Sequence, residues 1–288
     1  MRAELEQAIT LLRHGDEADV EHALTLLQQT LLSFGIKLCG QREDAEDTAQ
    51  EVLVRTLPHL ARLDNPQALS AWLYTAAKNR CWQGRRRATY RKSVALEDLM
   101  PGEAEMRSLL VADRGSSPED HALRRQDHER LHQAVLSLPP QYRIVLVLHD
   151  MEELETDLVA QILSLEPGTV RVRLHRARLL VRRELNRLMH PDALPSRKSK
   201  KPRRSAQCRE IFGNLSEYLD GNLPPADCDR MRRHIDACPS CVAFIHDLKR
   251  AIDRCRSLEV CSGEQAPAVL KRLITEEYLR LKNSRAVL

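Results

Sequence analysis

The chain has 288 residues, too many for one small core and enough for two or three modest domains. Aromatic residues make up 3%, charged residues 30%, and glycine occurs 10 times; that profile suits helices, since strands draw on aromatic and β-branched residues. The net charge of +4 is too small to imply a nucleic-acid partner by itself, no apolar run is long enough to cross a membrane, and MRAELEQAITLLRHGDEADVEHAL lacks a signal-peptide core. A cytoplasmic location is therefore expected, and with it reduced thiols, so the 8 cysteines should not form a disulfide framework. Only Cys39 and Cys81 lie in the first two-thirds, while Cys208, Cys228, Cys238, Cys241, Cys255 and Cys261 crowd the end, where a metal or redox role is the first hypothesis.

Residues 1–92 read as amphipathic helices closed by a basic run. In REDAEDTAQEVLVRTLPHL, Ala45, Ala49, Val52 and Thr56 recur at helical spacing and predict one buried face. Glu43, Asp47 and Gln50 gather elsewhere with Glu51 beside them, either a solvated face or a docking surface for a basic partner. No metal motif accompanies these carboxylates, which argues against catalysis. In the next helix the charge reverses. From Lys78 to Lys92 there are seven Lys or Arg and no acid, interleaved with Trp82 and Tyr90. Cations can follow phosphates there while rings stack on bases, as single-stranded DNA requires. Trp72, upstream, reads as core packing.

Residues 93–127 contain PGEAE and DRGSSPED, the turn-former clusters of a flexible linker. Residues 128–190 are helical again and carry the strongest nucleic-acid signal. Leu154 to Leu163 is a short helix with small Ala160, SLEPG is a turn, and Pro167 suits the first turn of the following helix. That helix has an apolar stripe, Val170, Leu174, Ala177 and Val181, and elsewhere Arg171, Arg173, His175, Arg176, Arg178, Arg182 and Arg183. This is a helix-turn-helix whose second helix enters the major groove with its N-terminal half.

A basic linker at 191–205, with six Lys or Arg from Arg197 to Arg204, reads as a solvated tether. Beyond it, Cys208 is followed by His234, Cys238 and Cys241. His234 and Cys238 lie one helical turn apart and Pro239 turns Cys241 back, which makes a structural zinc set with no open position. A bare CPSC could be a redox pair, but Cys208 and His234 favour zinc. Cys228 is the rival ligand and reads as packing. A last helix is expected from Pro267 to Lys282.

Taken in order, REDAEDTAQEV, AWLYTAAKNRCWQGRRR, LPPQYRIVLVLHDMEEL and PGTVRVRLHRARLLVRREL resemble an RNA polymerase sigma factor of the extracytoplasmic-function (ECF) subfamily. The resemblance implies no enzyme. It implies instead an all-α protein with two helical sigma domains (1–92 and 128–190) that binds core RNA polymerase and promoter DNA. By the same resemblance Asp47, Gln50 and Glu51 dock on polymerase. Lys78, Asn79 and Arg80, followed by Arg85 and Arg86, serve the −10 element. Thr169, Arg171, Arg173, His175 and Arg176 face the −35 element. The turn departs from the family, with Leu158-Val159-Ala160 for Glu-Ile-Ala and Ser164 for glycine. Residues 206–262 resemble a zinc-binding anti-sigma domain, with Cys208, His234, Cys238 and Cys241 as ligands of one Zn2+ and residues 263–288 as a helical tail. Fusion on one chain implies docking of the zinc domain on the sigma domains and redox- or metal-responsive control in cis. A free-standing helix-turn-helix regulator with a structural zinc module is the alternative, but it leaves the acidic helix and its basic neighbour unexplained.

Overall fold

The computed structural model describes residues 3–14, 16–60, 65–83, 96–101, 121–189, 205–258 and 268–283. All regular structure among them is helical. In chain order the helices are α1 (Ala3–His14), α2 (Glu17–Cys39), α3 (Arg42–Leu60), α4 (Pro66–Gln83), α5 (His121–Ser137) and α6 (Pro140–Leu146). They continue with α7 (Thr156–Leu163), α8 (Pro167–Met189), α9 (Ala206–Leu219), α10 (Pro225–Ala237), α11 (Pro239–Arg256) and α12 (Ala268–Asn283). A 3₁₀ turn spans Leu96–Leu99 and a π turn, Val147–Met151, follows α6. Two compact units do not follow chain order: one gathers residues 1–89, 147–167 and 259–288, the other 90–146 and 168–258.

In the first unit α2 is central, with α1, α3, α4 and α12 packed on it. The carboxylate of Asp16 caps its start by accepting from the Asp19 amide at 2.7 Å, and Gly40, at φ 79°, ends it in the left-handed conformation glycine tolerates. The predicted stripe Ala45, Ala49, Val52 and Thr56 is buried on α3. Gly35 sits where α2 and α3 come closest, and a Cβ there would stand 2.9 Å from the Ala45 Cβ. The last helix returns to the first: on α12, Tyr278 donates its hydroxyl to the Leu12 carbonyl at 3.4 Å, and Lys282 donates to the same oxygen at 3.2 Å.

One cysteine pair in this unit departs from the expectation of reduced thiols. Cys39, closing α2, and Cys81, in the last turn of α4, are joined as a disulfide with Cα atoms 5.9 Å apart. The sequence shows two isolated cysteines 42 residues apart; only the packing of α4 along α2 brings them within bridging distance. Among the described residues, Cys208, Cys228, Cys238, Cys241 and Cys255 take no part in a disulfide.

The second unit holds α5, α6, α8 and the three helices α9 to α11. The guanidinium of Arg143 donates to the Leu136 and Leu138 carbonyls where α5 ends, tying α6 to it. α5 begins at His121, inside the stretch whose composition reads as linker, while residues 93–95 and 102–120 lie outside the described residues. So does the basic tether at 191–204.

Gly35→Ala should force α2 and α3 apart, because the atoms met are Cβ and backbone rather than a movable side-chain end. Overpacking of that kind costs about 1–3 kcal/mol. A thermal melt should show the loss, and an unchanged midpoint would mean that the two helices are not in close contact.

Candidate zinc centre and nucleic-acid interface

Three short helices bring the zinc set together. Ser205 caps α9 by accepting from the Cys208 amide at 3.1 Å, which fixes Cys208 in the first turn. His234 lies in the last turn of α10, Cys238 is the joint, and Pro239 starts α11 so that Cys241 falls in its first turn. The four donor atoms all lie within 4.8 Å of one another. Cys208 Sγ is 3.5 Å from His234 Nε2, His234 Nε2 is 3.3 Å from Cys241 Sγ, and the Cys208 and Cys241 sulfurs are 3.9 Å apart. Sulfurs about 2.3 Å from a tetrahedral zinc stand about 3.8 Å apart, so these edges fit the ion. Burial, reinforced by hydrogen bonding with Cys238 and by the charge of neighbouring thiols, pushes the Cys241 thiol above its usual range. A thiol held protonated in this way gives up its proton when a cation sits among the sulfurs. The cluster is suited to one zinc ion, which would cross-link α9, α10 and α11 and leave no position for substrate. Cys228 stands outside it: its thiol donates to the Leu223 carbonyl at 3.5 Å.

The helix-turn-helix is built from α7, a turn and α8. Ser164, where the family favours glycine, takes up the left-handed conformation at φ 53°, and its amide bonds back to Ala160 and Gln161. Pro167 opens α8, and Val170, Leu174, Ala177 and Val181 are buried as expected. Arg171 is exposed; Thr169, Arg173 and Arg176 are half-buried. Val172, between the two arginines, is 53% exposed.

The rest of α8 differs from the solvent-facing arginine surface its sequence suggests. Arg178 and Arg182 are buried, and so is His175. Arg178 makes a two-pronged pair with Asp220, at the end of α9, at 2.7 and 2.8 Å. Arg182 donates to Asp247 of α11 at 2.6 Å, Asn186 reaches the same oxygen at 3.1 Å, and the Arg182 guanidinium lies 4.4 Å from the Phe244 ring centroid. Nδ1 of His175 is 2.8 Å from the Ser216 hydroxyl, and the Phe212 ring meets the imidazole edge-on at 5.8 Å. Burial, then the charges of Arg178 and Arg176, push the His175 pKa down to about 4. A buried arginine needs an anion and a buried imidazole stays neutral, so α9 and α11 supply what these side chains lose on leaving water. The partners Ser216, Asp220 and Asp247 could not be found from the sequence, where they are ordinary polar residues of amphipathic helices.

The expected sites in the first unit are also placed. On α3, Asp47 is exposed and Gln50 half-exposed, while Glu51 is paired with Arg55 at 2.6 Å and with Arg80. Asn79 is exposed, but Lys78 is buried and donates to the Ile162 carbonyl of α7 at 2.8 Å. Trp72 packs against His59 with ring centroids 5.0 Å apart, and Trp82 is 37% exposed. Arg85 and Arg86 lie outside the described residues.

Metal analysis should find one zinc per chain, lost in the double variant Cys208→Ala, Cys238→Ala and kept in Cys228→Ala. Binding at structural sites of this kind contributes about 10–16 kcal/mol, which in so small a module is folding energy. Loss of zinc from Cys228→Ala alone would reassign the ligands. His175 gives a second expectation. Its pKa is depressed in the packed state, so free α8 takes up a proton first as pH falls below about 6.5. The contact between α8 and α9 should be fully formed above that pH and weaken by up to tenfold per unit towards pH 4. An NMR titration of the imidazole near 4 in the full chain, rising towards 6.5 once residues 206–288 are removed, checks it; a midpoint of 6.5 in the full chain would mean that the ring is not buried.

Comparison with known proteins agrees with this construction. Residues 24–91 match the family described as sigma-70 region 2, residues 128–181 match sigma-70 region 4, and residues 208–241 match a zinc-finger family. The ECF RNA polymerase sigma factor SigW of Bacillus subtilis is 28% identical over 188 residues, 65% of this chain and 100% of that protein. The RNA polymerase sigma-E factor of Streptomyces avermitilis is 30% identical over 172 residues, 60% of this chain and 88% of that protein. Most of α2 with α3 and α4 falls in one matched region, α7 and the first part of α8 in the second and the four zinc ligands in the third, and the chain belongs to the RNA polymerase sigma factors of the ECF subfamily, with a zinc domain following the sigma regions.

Proposed function

We propose that this sigma factor is restrained in cis by its own zinc domain, which holds the promoter-reading helix α8. In the active state the α3 face with Asp47, Gln50 and Glu51 docks on core RNA polymerase. The end of α4, with Lys78, Asn79, Arg80, Arg85 and Arg86, serves the −10 element. The first half of α8, with Thr169, Arg171, Arg173, His175 and Arg176, serves the −35 element. The activity is binding rather than catalysis, and it acts in the cytoplasm, where polymerase and chromosome are.

The single observation that carries the restraint is the burial of His175, Arg178 and Arg182 against α9 and α11. An imidazole held by Ser216 and Phe212 is not free to meet a base edge. Only residues 190–205 separate α8 from α9 in the chain, and short linkers give effective concentrations of about millimolar. Weak docking is then enough to occupy α8. Oxidation of the ligand thiolates by an external oxidant, or removal of the metal, takes away the cross-link that orients α9 and α11 and so releases α8. A free-standing repressor would need only the helix-turn-helix, and the region 2 match over α2 to α4 speaks against it.

Multi-round transcription with core polymerase compares the full chain with a chain ending after Ser205. The shorter chain should initiate more at equal concentration, and chelator or oxidant should bring the full chain towards it. Equal or lower activity after truncation would make the zinc domain an activator or a scaffold.

A further inference from the structure

Among the described residues Val172 is the one large apolar side chain left exposed in the second unit, at 53%. It stands on α8 two residues from both Val170 and Leu174, so at 3.6 residues per turn it points about 160° away from that buried stripe. Core packing does not account for a valine on that side, and at an exposed helix position alanine, arginine or lysine is the better helix former. Its neighbours on the outward side are of another kind. Arg171 and Arg173 flank it in the chain, and Arg176, one turn later, donates to the Tyr142 hydroxyl of α6 at 3.4 Å. One turn before it stands Gly168, where an added Cβ would meet nothing within 4 Å. The outward ridge of α8 therefore carries donors around an apolar tip, with an open approach at its N-terminal end. The helices α9 and α11 take hold of His175, Arg178 and Arg182 and leave this tip exposed, so the zinc domain does not account for it either.

We infer that Val172 reads the C5 methyl group of a thymine in the −35 element and is a specificity-determining residue of α8. The inference rests on the sigma reading above. A helix in the major groove meets base edges with the side opposite its own core, and Val172 is at the centre of that side. Arginines there find acceptors, either phosphate oxygens or O6 and N7 of guanine. A valine offers neither donor nor acceptor, and the apolar group that a major-groove edge presents is the thymine methyl. The branched side chain suits the task. In a helix it keeps one strongly preferred rotamer, so its two methyl groups are aimed before binding and little freedom is lost. Set against any other base, the same methyls would take water from polar edge atoms without replacing the hydrogen bond.

The test uses the full chain with core polymerase and a promoter recovered from a random library by that holoenzyme. Each thymine of its −35 element is replaced in turn by deoxyuridine, which pairs alike but lacks the methyl, and initiation is measured at subsaturating holoenzyme. For the parent chain one such replacement should lower initiation about fourfold, the effect of burying one methyl group. Val172→Ala should lose a similar factor on thymine at that position and no longer distinguish it from deoxyuridine. Val172→Ile keeps the branched apolar tip and should keep the discrimination. Because each ratio compares two templates with one protein, the share of chain held by the zinc domain cancels. The inference is overturned if no thymine methyl matters to the parent chain, or if Val172→Ala retains the parent's ratio. An equal loss on both templates would make Val172 a contact for polymerase or for the DNA backbone, and overturns it as well. If core polymerase recovers no promoter with this chain, it is the sigma reading that fails. The same thymine-to-deoxyuridine comparison, on a duplex selected by the full chain alone, then still decides the role of Val172.

Discussion

A guanidinium stays charged at any pH a folded protein meets, so burying one requires an anion at hydrogen-bond distance. Helix α8 buries two, Arg178 and Arg182, and the arrangement of the second unit follows from finding their anions. Asp220 stands at the end of α9 and Asp247 in α11, and each must arrive with its oxygens in the plane of a guanidinium. Helices this short do not hold such positions by their own packing. The zinc ligands sit near the opposite end of the same elements: Cys208 opens α9 and Asp220 closes it, about 18 Å apart at 1.5 Å per residue. A cross-link at one end of a stiff helix thus sets the ion pair at the other, and the metal site and the arginine site form one mechanical unit.

The same geometry makes α8 a helix with two claims on it. Two parallel N–H donors that meet the carboxylate of Asp220 would meet phosphate oxygens equally well, so under the proposed restraint the zinc domain would imitate the chemistry of DNA. The two bindings differ in their response to salt. Contacts with DNA release counterions and weaken steeply as ionic strength rises, whereas a buried pair is screened little. Under the proposed restraint, higher salt would therefore favour the helix held by α9 and α11 over the helix bound to DNA.

In the first unit the corresponding constraint is the burial of two lysines, Lys37 and Lys78, in helices that otherwise read as ordinary amphipathic elements. Lys37 is satisfied by a carboxylate 115 residues away and Lys78 by a carbonyl 84 residues away. Neither partner carries a local signature: Glu152 lies in the acidic run DMEELE, and a carbonyl belongs to every residue. The Cys39–Cys81 bridge is of the same kind, since pairing depends on how α4 lies along α2 and not on the spacing of the cysteines.

Periodicity was enough to place the helices, because burying a stripe every third or fourth residue is a local requirement that each helix meets separately: α3 buries Ala45, Ala49, Val52 and Thr56, and α8 buries Val170, Leu174, Ala177 and Val181. The zinc ligands were equally legible, since His234, Cys238 and Cys241 fall within eight residues and local turn chemistry brings them together with Cys208 one helix away. What spacing could not show is which polar side chains leave the solvent. Arg178, Arg182 and His175 read as the basic side of a helix and Lys78 as a DNA contact, because a charge is expected in water unless something distant compensates it. The compensating groups, Asp220, Asp247, Ser216 and Glu152, are 38 to 115 residues away in the chain. Burial of a charge is a property of a pair, and only the packed helices bring the two members of each pair together.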